Sequence, residues 1–182
     1  MKPGFREDKT TEAAGLFLQL RGGRMSYMKL IKLLYLLDRE ALLRWGRPVT
    51  FDSYVSMDRG PVLSRTLDLI TEGPAPDHPS IWAECISEPG NYEVGIRRPC
   101  DPMRLSQIEI DLIHETYGEY GQYSRWDLVD LAHGLPEWQD PKGSAIPISY
   151  RDILKAGGKT DAEAAQIVDE LEELAMADLL LE

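Results

Sequence analysis

The sequence predicts a mainly α (α+β) fold, a compact helical domain around one central buried helix with a small β-hairpin. Three observations predict it. Residues 27–45 form a run that is apolar almost all round, the mark of a helix covered on several sides. Ser or Thr followed three places later by Glu or Asp recurs at 106–109, 124–127 and 160–163, each pair the signature of a helix start. The chain has 182 residues, 43% hydrophobic and 28% charged. That is enough for one domain, which buries roughly 70% of its unfolded surface.

Taken in order, Ala13, Leu16, Phe17 and Leu20 recur at helical spacing within residues 8–21, and Gly22-Gly23 ends the pattern. Ser26 stands where a cap would for the helix over 27–45, with Gly46 just past its end and Pro48 beyond. Residues 51–57 alternate loosely and read as a short strand or an extended crossing. Gly60-Pro61 reads as a turn that places Pro61 at the first position of a helix over about 61–72. Pro74, Pro76 and Pro79 make a stiff loop. Residues 81–86 and 92–96 alternate in part around Pro89-Gly90-Asn91, the pattern of a hairpin. Ser106 with Glu109 opens a helix to about Tyr120, with Ile108, Leu112 and Ile113 inward. Ser124 with Asp127 opens a short one closed by Gly134 and Pro136. Ser149 opens another that ends at Gly157-Gly158, and Thr160 with Glu163 begins the last. The Gly pair divides a domain over 1–158 from an acidic C-terminal helix over 159–182.

Net charge is −11, but residues 1–47 hold ten Lys or Arg against five acids, so the remainder carries −16. Binding to phosphate backbones draws on excess Lys and Arg, so a general nucleic-acid coat is not expected. Asp161 to Glu182 contain eight acids and no base, which reads as a solvated helix face or as a surface for a basic partner. No apolar run approaches the roughly 20 residues that span a bilayer, and the first residues lack the apolar stretch of a signal peptide. Cys85 and Cys100 are too few for a disulfide framework. A cytoplasmic protein with reduced thiols is expected.

Catalytic signatures are missing. His78, His114 and His133 and the two Cys lack the short spacings of a zinc site, and neither a P-loop nor a Gly-x-Ser-x-Gly elbow occurs. No metal, no cofactor and no enzymatic activity are expected. Asp38 falls within the apolar stripe of the central helix, on the side of Ile31, Leu34 and Leu42, so it should be buried and hydrogen bonded. Asp38→Leu should then cost on the order of 1 to 3 kcal/mol. Lys29 and Lys32 lie one turn apart on the opposite, polar face and read as a solvated stripe or as two donors to an acidic partner. His133, beside a helix end, reads as a structural cap with Trp138 folded onto the core. Ile167, Leu171 and Leu174 form an apolar stripe flanked by Glu170, Glu172 and Glu173, suited either to a partner groove or to the chain's own core.

Residues 29–70 carry the run Lys-Leu-x-Lys-Leu-Leu-Tyr (Lys29 to Tyr35), a Gly-x-Pro exit (Gly46, Pro48) and a Gly-Pro-Val turn (Gly60 to Val62). In order and spacing these resemble the signature of the Panacea, or SocA-like, antitoxin domain. Leu128 to His133 followed by Trp138 is similar to that family's late Leu-x-x-x-x-His element, and the likeness spans about residues 12–140. The resemblance implies a mainly helical antitoxin of a toxin–antitoxin pair, whose partner is a cognate protein toxin neutralised by direct binding. In some members the antitoxin is also a proteolytic adaptor that delivers the toxin to a cytoplasmic AAA+ protease. No catalytic residues carry over. Lys29, Lys32, Ile167, Glu170, Leu171 and Leu174 are the candidate partner-binding residues, and Asp38 and His133 the structural polar ones. The alternative is a transcriptional regulator that binds DNA through the basic N-terminal region.

Overall fold

The computed structural model describes residues 4–181, and among them the chain forms eight helices and two small antiparallel sheets. Helix α1 spans Glu7–Arg21 and ends on Gly22 in the left-handed conformation. Strand β1, Arg24–Ser26, leads into α2, Tyr27–Trp45, which Gly46 closes with φ +72°. Strands β2, Tyr54–Met57, and β3, Gly60–Leu63, make a hairpin, and α3 follows over Ser64–Thr71. Then come α4, Ile81–Cys85, and β4, Glu93–Gly95. Helices α5, Gln107–Tyr120, and α6, Arg125–His133, precede β5, Ile146–Ile148. Helices α7, Tyr150–Ala156, and α8, Asp161–Leu180, complete the described chain.

Helix α2 is the hub. Twelve of its residues are buried, and α1, α5, α6, α7 and β3 pack around it. Leu30, Leu33, Leu34, Leu37 and Leu42 are wholly inaccessible, which follows from a helix apolar on every side. Four of the other helices, α5 to α8, start where their own polar residues cap them. Ser106/Glu109, Ser124/Asp127, Ser149/Asp152 and Thr160/Glu163 all form reciprocal capping boxes.

Several elements differ from the sequence expectation. Pro61 is not a first helical residue: Gly60 and Pro61 open β3, paired with Met57 and Ser56 of β2, and the helix begins only at Ser64. The sheet order is β3-β2-β5, so β3 is an edge strand, where a residue without an N–H is tolerated. Residues 81–86 are not the first arm of a hairpin. Ser80 accepts from the Ala83 amide and starts a helix of little more than one turn, which buries Trp82 and Cys85 on one side. Strand β4 pairs in a ladder with β1, and across the expected turn the chain closes through two single bridges, Ile86 to Ile96 and Gly90 to Glu93. Ser26 ends β1 and makes no side-chain cap for α2; its Oγ is buried with no hydrogen-bond partner in the structure. Ile108 is half exposed rather than inward. Cys85 and Cys100, read as reduced thiols, are joined, with Cα atoms 6.0 Å apart. The loop that carries Cys100 folds back over Gly15, where a Cβ would lie in ordinary van der Waals range of Cys100 Cβ, at 3.9 Å.

Three carboxylates cap from a distance, which local sequence does not reveal. Asp52 accepts from the Arg65 and Thr66 amides, both at 2.9 Å, and so caps α3. Glu7 accepts from Ser80 Oγ and the Trp82 amide at the start of α4, and Glu12 from the Arg104 and Leu105 amides ahead of α5. At the far end, Gly157 lies against α2. A Cβ there would overlap both methyl groups of Leu43 and come within 3.0 Å of its Cγ. Gly157→Ala is therefore expected to lower stability by about 1–3 kcal/mol by overpacking, read as a shift in the urea midpoint.

Candidate functional site

Four polar residues of α2 point into the fold rather than forming a surface. Lys29, Lys32, Tyr35 and Asp38 follow one another at intervals of three, and each ties the helix to a different segment. The Lys29 ammonium donates to the Gly121 carbonyl at 2.6 Å and the Lys32 ammonium to the Pro61 carbonyl at 2.7 Å. The Tyr35 hydroxyl donates to Glu137 Oε1 at 2.9 Å, and the Arg39 guanidinium meets the same oxygen at 2.6 Å. Asp38 Oδ1 accepts from the Val49 and Thr50 amides at 2.8 and 3.0 Å, and its Oδ2 from the Thr50 hydroxyl and from the Tyr54 hydroxyl at 2.7 Å. The run from Lys29 to Tyr35 with Asp38 is thus a spindle that fixes the segments wound around it.

The solvent-facing placement expected for Lys29 and Lys32 is corrected by this arrangement, since both are buried. Helical period put them opposite Asp38, and they are, but β3 and the α5–α6 turn cover that side as well. Burial lowers the pKa of both, Lys32 to about 7. Lys32 then binds fewer protons folded than unfolded between pH 7 and its ordinary value of 10.5. By linkage its contribution to stability rises with pH across that window. Lys32→Met should flatten the rise, measured as the difference between the two proteins' urea midpoints at pH 7 and pH 9.

Asp38 is buried completely enough that desolvation raises its pKa to about 6, against the opposing pull of the hydrogen bonds from Thr50, Tyr54 and Val49. His133 sits at the end of α6 but reaches elsewhere. Its Nε2 lies 2.9 Å from the Asp58 carbonyl, its ring stacks 4.2 Å from that of Trp138, and the Trp138 indole donates to the Met57 carbonyl at 2.9 Å. Both side chains hold the β2–β3 turn. A groove of about 300 Å³ between α2, α5 and α6 contains Arg39 and Arg44, but Glu137, Glu40 and Glu115 already pair with them. It presents no unpaired cation to a ligand.

Helix α8 is the element that does present a surface. Ala164, Leu171 and Ala175 are buried, and Ile167 is half-buried beside Gly46, so this side docks the helix on the domain. Ile167 and Leu171, expected in one stripe with Leu174, therefore face inward while Leu174 does not. Leu174 is 51% exposed, and Met176, Leu179, Leu180 and Leu181 are exposed with it. Five of the twelve exposed large hydrophobic side chains among the described residues thus lie between Leu174 and Leu181. Singly such residues need no explanation, but a cluster does. Around them stand the acids Glu170, Glu172, Glu173 and Asp178. Glu170 accepts from Gln166 one turn back at 3.0 Å. At the start of α1, hydrogen bonding to Asp8, and then the charges of Asp8, Glu109 and Asp178, raise the Arg6 pKa.

Among the described residues no group of three His, Cys, Asp or Glu could hold a metal ion, and no helix is long and apolar enough to cross a membrane. A family model described as antitoxin SocA-like, Panacea domain, matches residues 30–139. The match covers more than half of the chain and runs from α2 past Glu137 and Trp138; α8 lies beyond it. No curated protein and no solved structure matches the chain.

Proposed function

The chain belongs to the family of SocA-like antitoxins with a Panacea domain, and from that premise we propose that it neutralises a cognate protein toxin by binding it directly through the exposed end of α8. The concentration of exposed apolar side chains from Leu174 to Leu181 supports this reading. Leu174 and its neighbours would anchor the toxin, as in helix-in-groove recognition, while Ile167 and Leu171 hold the helix to the domain. Glu170, Glu173 and Asp178 call for a basic partner, and such charge complementarity speeds encounter more than it deepens affinity. Adding salt should accordingly slow association.

The regulator reading, with DNA on the basic N-terminal region, finds little support in the side chains. Lys29 and Lys32 are buried, and Lys9, Arg24, Arg39 and Arg44 each pair with a carboxylate. The positive excess of the first 47 residues is thus largely engaged within the fold.

The test starts from the reading frame adjacent to this one. Its product, expressed alone, should arrest growth, and co-expression of this chain should relieve the arrest. Removal of α8 would also expose the surface it covers, so substitutions serve better than truncation. Leu179→Asp with Leu180→Asp should leave the melting temperature unchanged and weaken neutralisation tenfold or more. Full neutralisation by the double variant would place the interface elsewhere. Following the toxin's half-life in the same cells separates simple binding, which leaves it unchanged, from delivery to a protease, which shortens it.

A further inference from the structure

The start of α6 and the β2–β3 turn build a second surface, one that carries two guanidiniums beside an exposed indole. Trp126, in the first turn of α6, is 49% exposed. The Arg59 guanidinium lies 5.4 Å from its ring centroid and the Arg125 guanidinium 5.3 Å. Neither arginine is within ion-pair distance of a carboxylate among the described residues. A guanidinium lying over an aromatic ring keeps its N–H donors free at the edge, in the fork that matches a carboxylate. Tyr123, three residues ahead of Trp126, is also exposed, its neighbour Tyr120 edge-on at 5.8 Å. Trp, Tyr and Arg are the residue types that dominate binding energy at interfaces.

The surface is held rigid. Three bonds fix the turn that carries Arg59: His133 to the Asp58 carbonyl, Trp138 to the Met57 carbonyl, and the Gly143 amide to Asp58 Oδ1, each at 2.9 Å. Gly60, at φ +100°, brings the returning strand so close to α6 that a Cβ would lie 3.1 Å from that of Ala132. A platform ordered beforehand loses less entropy on binding.

We propose that Arg59, Trp126 and Arg125 form a docking platform for a short acidic segment of a partner protein, with carboxylates on the two guanidiniums and an apolar side chain against the indole. Charge complementarity at the two guanidiniums selects this occupant, because neither has a carboxylate partner of its own within ion-pair distance among the described residues. A nucleic-acid strand needs a continuing row of cations along its backbone. Here the row stops, since α6 continues with exposed Asp127 and Asp130. The platform shares no residue with the α8 surface and would serve a different segment or a different partner.

The test titrates the full chain with a synthetic hexapeptide of four glutamates, one leucine and one phenylalanine, with its four-lysine counterpart, and with single-stranded oligothymidine at physiological salt. The readout is the indole N–H resonance of Trp126, assigned by its loss in Trp126→Phe. The acidic peptide should shift that resonance and the lysine peptide should not. Arg59→Glu combined with Arg125→Glu should weaken binding tenfold or more with the melting temperature unchanged, as should Trp126→Ala in calorimetry. No response to the acidic peptide, or a response unchanged in the variants, overturns the proposal, and tighter binding of oligothymidine assigns the platform to nucleic acid instead. None of these outcomes depends on whether α8 binds a toxin.

Discussion

Asp38→Leu is expected to lower the free energy of unfolding by about 3–5 kcal/mol at pH 7, above the roughly 1 to 3 kcal/mol expected from sequence because several buried donors rather than one lose their acceptor, a loss that endangers the fold. The carboxylate is the common acceptor for four donors from three residues, the Val49 and Thr50 amides and the Thr50 and Tyr54 hydroxyls. A buried group left without its partner costs about 1–3 kcal/mol, and relaxation of the 46–54 segment recovers part of that. Leucine supplies apolar contact but no acceptor. The pH dependence gives a second readout. With its pKa raised by burial to about 6 from 3.8, Asp38 takes up a proton more readily folded than unfolded. Its titration therefore contributes stability that is fully present below about pH 4 and is lost as pH rises through 6. The variant lacks that component, so urea midpoints at pH 5 and pH 7 should converge relative to the parent protein.

Glu137→Ala should be comparably severe, at about 3–5 kcal/mol, because it leaves the partly buried Arg39 charge without its counter-ion. The Glu137 carboxylate is wholly buried and takes both the Tyr35 hydroxyl and the Arg39 guanidinium on one oxygen. Burial works against the Arg39 charge, yet hydrogen bonding and attraction to Glu137 hold its pKa above the usual value. Tyr35→Phe removes one neutral donor and should cost only about 1 kcal/mol. Urea denaturation of the three proteins should show this order, and a Glu137→Ala loss no larger than that of Tyr35→Phe would contradict the assigned pairing.

These two carboxylates also show what the sequence discloses. Asp38 was legible because it interrupts an apolar stripe on a helix whose end is marked by Gly46, and that helix runs from Tyr27 to Trp45 as read. Glu137 was not, since its partners lie about a hundred residues away and nothing local distinguishes it from a surface acid. The burial of Lys29 and Lys32 was hidden for a related reason. Lysine is rarely buried without an acceptor, and their acceptors are backbone carbonyls that appear only once β3 and the α5–α6 turn have folded over α2. Strands β1 and β5 have three residues each, too few to display alternation, and the single turn of α4 passes for a strand over so short a span. Pro61 misled because a proline after a glycine suits an edge strand as well as a helix start. On α8, composition gave the acids and the apolar stripe, but the division of that stripe between core and solvent depends on how the helix rests on the domain.

The most direct measurement is the affinity between the purified chain and the protein encoded beside it, by isothermal titration calorimetry with the parent chain and with Leu179→Asp plus Leu180→Asp. A saturable, stoichiometric complex is expected with the parent, weakened tenfold or more by the double substitution while both chains melt at the same temperature. Equal affinity for the two chains, or no complex with the parent, would contradict direct binding through α8.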